Sequence, residues 1–106
     1  MNEQWYRDYT HLAFHLEKFF QNHIHLPYVD YYYGPPEWKA DVANEPEQEP
    51  IVLLRAATTL LDQLPEQGLD QHRAIYMSKQ VGAMEIACRR LNGEHIPFED
   101  ELRRLF

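Results

Sequence analysis

His11 and His15 stand four residues apart in a stretch with helical periodicity, so their imidazoles share a face and can reach one metal ion. Zinc needs three or four protein ligands, and this pair lacks the glutamate that follows the first histidine in a His-Glu-x-x-His motif. His23 and His25 lie near the end of the same helix, while His72 and His95 are remote in sequence. With no cysteine pair and no spaced carboxylate to complete a set, they read as surface or capping histidines. No metal ligand and no cofactor is assigned.

Nucleophilic chemistry has no better footing. The only hydroxyls of serine or threonine are Thr10, Thr58, Thr59 and Ser78, all inside predicted helices and none in a glycine-flanked turn that would expose a nucleophile. Glycines at 34, 68, 82 and 93 are too scattered to cradle a phosphate. Carboxylates are plentiful, but spacing alone cannot place two of them in one cleft. The single cysteine, Cys88, falls on the apolar face of a predicted helix and reads as packing. No catalytic residue is assigned.

What remains is an aromatic cluster, Tyr28, Tyr31, Tyr32, Tyr33 and Trp38, around a rigid Gly34-Pro35-Pro36 turn. Such rings stack on sugars or bases, and Tyr and Trp anchor many protein interfaces. Three adjacent tyrosines point in different directions, however, so they cannot all face one ligand. The favoured reading is a corner pinned to the first helix, with Tyr31, Tyr32, Tyr33 and Trp38 kept as candidate partner or ligand contacts.

The elements that carry these residues are helical throughout. Trp5, Tyr9, Leu12, Ala13, Leu16, Phe19, Phe20 and Ile24 recur every three or four residues, predicting a helix from Glu3 to His23 that ends before Leu26 because Pro27 follows. Pro36 suits a first helical position, which starts a short helix bearing Trp38 and Val42 on one face and ending at Asn44. The alternation of acid and proline over residues 44–50 predicts an extended, flexible, solvated connector. Pro50 opens a third helix whose Ile51, Leu53, Leu54, Ala57, Leu60, Leu61 and Leu64 cover more than half its circumference, implying a central position. Pro65 and Gly68 make a turn, Asp70 caps a fourth helix striped by Ala74, Met77, Val81, Met84, Cys88 and Leu91, and Gly93 ends it. A fifth helix is expected from Pro97, with Phe98, Leu102, Leu105 and Phe106 as its apolar residues. The fold class expected is all-α: about five helices in an irregular bundle over residues 1–106, read as a single domain.

Bulk properties agree with one modest core. A chain of 106 residues buries roughly two-thirds of its unfolded surface on folding. Ten basic against seventeen acidic residues give a formal charge of -7, which opposes binding to a phosphate backbone. The one basic clustering, Arg89-Arg90 and Arg103-Arg104, sits near predicted helix ends, where cations offset the macrodipole. Nucleic acid is therefore not an expected partner, and because no apolar run approaches membrane-spanning length, neither is a membrane. The amino terminus lacks a basic and apolar leader, so a soluble cytoplasmic protein is expected.

The corner Pro27-Tyr-Val-Asp-Tyr-Tyr-Tyr-Gly-Pro-Pro-Glu-Trp38 resembles the amino-terminal region of a group of largely helical bacterial proteins that look like zinc metallopeptidases. The likeness extends to Leu64-Pro-Glu-Gln-Gly68, to Leu91-Asn-Gly-Glu and to Phe98-Glu-Asp-Glu-Leu-Arg-Arg-Leu105. In such proteins a His-Glu-x-x-His helix much further along would supply zinc ligands and a general base. This chain contains no such motif, so no metal or catalytic residue carries over to it. The resemblance implies a non-catalytic helical part that packs on a C-terminal catalytic body, and the apolar end at Leu105 and Phe106 suggests the front of a longer chain. The alternative is a free-standing helical interaction or dimerisation module, with a homo-oligomer as its simplest product.

Overall fold

A computed structural model describes residues 3–25, 28, 29 and 34–93. The tyrosines Tyr31, Tyr32 and Tyr33 and the helix expected from Pro97 lie outside the described residues. Within them the protein is all-α, with four helices and no strand: α1 (Glu3–His23), α2 (Pro36–Ala43), α3 (Pro50–Gln63) and α4 (Gln71–Leu91).

Each boundary has a local cause. Helix α1 closes as the Ile24 and His25 amides both donate to the Phe20 carbonyl, with His25 left-handed at φ 62°. Prolines occupy the first turns of α2 and α3, where the missing N–H costs nothing. Asp70 caps α4 by accepting from the Arg73 amide at 2.9 Å. At the other end Asn92 donates its side-chain amide to the Cys88 carbonyl at 2.7 Å and to the Pro50 carbonyl at 2.9 Å, tying the end of α4 to the start of α3.

Helix α3 packs against both α1 and α4, the central position its breadth implied. Its apolar arc is narrower inside the protein than the sequence suggested. Leu53, Ala57 and Leu60 are buried, whereas Ile51 and Val52 are exposed. With Trp5, Leu12 and Leu16 of α1, Leu64, and Met77, Val81, Met84 and Cys88 of α4, they form one hydrophobic cluster. Ile86, outside the expected α4 stripe, is fully buried as well.

The junction after α3 depends on Pro65. A proline has no N–H, so the Leu61 carbonyl cannot receive its usual donor four residues on. The Leu64 amide reaches Leu61 instead, tightening the chain into a 3-10 turn over Leu64–Gln67. That shift withdraws the Leu64 amide from the Leu60 carbonyl, and the buried indole Nε1 of Trp5 donates there at 3.0 Å. Gly68, at φ 68°, then reverses the chain toward α4.

Two features of α1 correct the single-stripe reading. Ile24 is exposed, and Thr10, Phe14 and His15, absent from the stripe, are buried. The reason is that α1 is covered on two sides, by α3 on one and by α2 on the other, with Lys39 of α2 lying over the Phe14 ring at 5.7 Å. A one-stripe periodicity captures only the first contact.

Replacing Trp5→Phe leaves the Leu60 carbonyl buried without a donor and should destabilise the protein by about 1–3 kcal/mol, read as a lower urea midpoint at unchanged far-ultraviolet circular dichroism. Gly68→Ala meets no neighbouring atom within 4 Å, so left-handed strain alone should cost about 1 kcal/mol in the same measurement.

Candidate functional site

Of the residues singled out as possible contacts, only Trp38 is among those described; it is half-buried on α2, one turn before the buried Val42. Tyr28, which opens the corner, is half-buried against the hydrophobic cluster, with its ring edge-on to Phe20 at 4.9 Å between centroids. Pinning of the corner to the first helix is therefore seen at Tyr28. Backbone contacts reinforce it, because Glu17 of α1 accepts hydrogen bonds from the amides of both Tyr28 and Val29.

The histidine pair behaves differently from a surface pair. His15 is buried, and its Nε2 lies 2.7 Å from Glu45 Oε2. His11 Nε2 stands 3.6 Å from Asp41 Oδ2, which also pairs with Arg7 at 3.2 Å. Lys18 donates to the carbonyls of Val42 and Glu45, and His23 and Asn22 both reach the Glu47 carboxylate, at 3.0 and 3.2 Å. One polar face of α1 is thus laid along residues 41–47. The segment expected to be a solvated connector is extended and runs along α1, attached to it at Glu45 and Glu47.

This arrangement follows from helix geometry. Arg7, His11, His15, Lys18 and Asn22 are spaced by three and four residues, so they share a face, and the groups opposite them are Asp41, Glu45 and Glu47. Helix α2 has no basic residue in its last turn. Lys18 supplies a cation there from the neighbouring helix, on the Val42 carbonyl of the last turn of α2.

Ionisation follows the same contacts. Burial pushes the Glu17 carboxyl upward, but the Val29 and Tyr28 amides, the Gln21 side chain and Lys39 outweigh it, leaving its pKa below the usual value. Burial, assisted by the nearby Glu85 charge, pushes the Cys88 thiol up to about 12. Tyr9 is raised by burial and then by the neighbouring Tyr76 and Tyr6, and Tyr28 by burial, then by Cys88 and Tyr9. Among the described residues no three histidine, cysteine or acidic side chains are placed to hold a metal ion, and no helix is long and apolar enough to cross a membrane.

Beneath this face, α1, Glu45 and Gln48 of the connector, and α3 enclose a cleft of about 280 Å³ with Asp8, His11 and His15 in its wall. Two buried nitrogens of those walls, His11 Nε2 and His15 Nδ1, have no hydrogen-bond partner among the described residues. Sequence spacing brought His11 and His15 to one face, which Asp8, three residues before His11, shares; it did not reveal Glu45 beside them, because Glu45 sits in an irregular segment whose path no periodicity defines.

Compared with protein-family models, curated proteins and solved structures, the chain shows no match.

Glu17→Gln should lower stability by about 1 kcal/mol near neutrality, the worth of charge-assisted bonds to two amides. Because the folded carboxyl titrates below the unfolded one, its contribution is complete above about pH 4.3 and fades as pH falls through the folded value. Parallel acid titrations of the two proteins by circular dichroism should therefore converge at low pH. Native Cys88 should resist a thiol reagent at pH 8 and react fully once urea unfolds the chain.

Proposed function

We propose that this is a non-catalytic helical domain whose role is to pack against the catalytic body of a zinc-peptidase-like protein. The corner resemblance supplies the family, and the polar face of α1 supports the structural role. Its histidines and lysine join α1 to residues 41–47, with His15 buried and bonded to Glu45 at 2.7 Å. Contacts of this kind, from side chains of one segment to carboxylates and main-chain carbonyls of the next, hold helices in place.

A second reading, a free-standing interaction module, draws on Ile75 and Tyr76. Both are exposed on α4, and Ile75 borders a recess of about 510 Å³ that Leu64, Pro65 and Leu69 also line. Apolar surface of this kind marks interaction sites when it is continuous.

The reading frame after the Phe106 codon separates the two. A His-Glu-x-x-His segment is expected downstream, and the longer protein should cleave peptides in a zinc-dependent manner while residues 1–106 alone do not. A stop codon directly after Phe106 would overturn the peptidase reading. Light scattering would then be expected to show a dimer that Tyr76→Glu dissociates.

A further inference from the structure

We propose that the cleft between α1, the connector and α3 binds a small organic cation through its ammonium or guanidinium group. The inference is independent of the packing role proposed above, since it rests on the cleft alone.

Charge points to a cation. Among the described residues the wall includes the carboxylates of Asp8 and Glu45 and no lysine or arginine. Two cations of α1 are engaged elsewhere: Lys18 donates to the Val42 and Glu45 carbonyls, and Arg7 pairs with Asp41. Asp41, beside His11, adds negative charge behind the wall, and the chain as a whole carries -7. An anion would meet repulsion from Asp8 and Glu45.

Unmet hydrogen bonding points to a ligand with several N–H groups. His15 is only 3% exposed, yet among the described residues its Nδ1 has no hydrogen-bond partner, and neither does the buried Nε2 of His11, which stands 3.6 Å from Asp41 Oδ2. Buried polar atoms are nearly always paired, so two orphans belonging to adjacent wall residues call for an explanation. A neutral imidazole offers one unprotonated nitrogen as an acceptor, and carboxylates accept charge-assisted bonds from ammonium or guanidinium. Gln48, Thr59 and Gln63 add polar groups at the rim, while Leu12, Ala56 and Leu60 offer carbon to cover methylenes.

Geometry disfavours a metal in the same place. Zinc requires three or four donors at about 2.0–2.3 Å, and no such trio converges among the described residues. An ammonium or guanidinium instead accepts oxygens and nitrogens spread around it at hydrogen-bond distance. A volume of about 280 Å³ lies near the lower end for small-molecule pockets, which suits a cation carrying a few carbons. Such a group is found on a free amine or on a lysine or arginine side chain of a partner.

Imidazole nitrogen resonances of the intact 106-residue protein provide the test. Butylammonium, ethylguanidinium and a short peptide with one central arginine are titrated at fixed pH, with butanol and butyrate as neutral and anionic controls. Saturable shifts at His11 and His15 are expected for the cations only. Affinity should fall about tenfold, the worth of one charge-assisted bond, in Asp8→Asn, whose exposed position leaves folding intact, and in Glu45→Gln. Binding by the free cations assigns the site to a small molecule, and binding by the peptide alone assigns it to a partner's basic side chain. Equal shifts with butanol, absence of saturation with every cation, or affinity unchanged in both variants would overturn the proposal.

Discussion

The hydrogen bond from Trp5 to the Leu60 carbonyl is the contact on which the rest of the arrangement turns. It exists because Pro65 cannot donate, so the last amide of α3 shifts by one residue and leaves Leu60 without its helical partner. A buried carbonyl in that state needs a donor. The indole is the one aromatic group that is large, apolar and a pure donor, so it fills the core and satisfies the carbonyl together. Tyr9 stacks parallel to its ring at 6.0 Å and Tyr6 meets it edge-on at 5.3 Å. The start of α1 is thereby registered against the end of α3, and the remaining helices are arranged around that pair.

From this register the second face of α1 follows. With Trp5, Leu12 and Leu16 turned into the core, Arg7, His11, His15 and Lys18 must point to another side, where α2 and the connector lie. Exposed ion pairs contribute little by themselves. His15 and Lys18 differ because one is buried and the other bonds to main-chain carbonyls, so removing either leaves groups that lose their partners. The opposing charges are also segregated, cations and imidazoles on α1 and carboxylates on residues 41–47. Docking in another register would set these groups against the wrong neighbours.

Much of the framework was legible from local signals. Pro36, Pro50, Asp70 and Gly68 act where their backbone chemistry requires, and the four described helices begin and end where the punctuation placed them. The stripe of α4 was read correctly through Met77, Val81, Met84 and Cys88. Periodicity failed where one helix has two neighbours. Phe14 and His15 looked superfluous to a single stripe, and a histidine in a polar position is normally assigned to solvent. The polar face of α1 was nonetheless visible as a second period, Arg7-His11-His15-Lys18-Asn22, facing a segment that carries an acid at nearly every other position. What no local rule supplies is the path of residues 44–50, which is fixed by long-range bonds to α1 and hence by tertiary structure alone. The cleft and its Glu45 were hidden for the same reason.

Helix α2 has eight residues, well short of the length at which an isolated helix is stable in water. Its order must come from what it touches, namely Phe14, Lys18 and Arg7 on α1, and Val42 is its one fully enclosed apolar side chain. The connector likewise owes its position to His15 and His23. Both therefore belong to the low-stability end of the structure, while the α1, α3 and α4 core defines the high end. The cleft is bounded by one member of each class, since His15 and Leu60 belong to rigid helices and Glu45 to the tethered segment. Any group that bridges Glu45 to α1 stabilises the docked connector by its own binding free energy, and a displaced connector removes Glu45 and Gln48 from the wall. Occupancy of the cleft and attachment of residues 41–47 are thus two sides of one equilibrium, set by the same few polar contacts along α1.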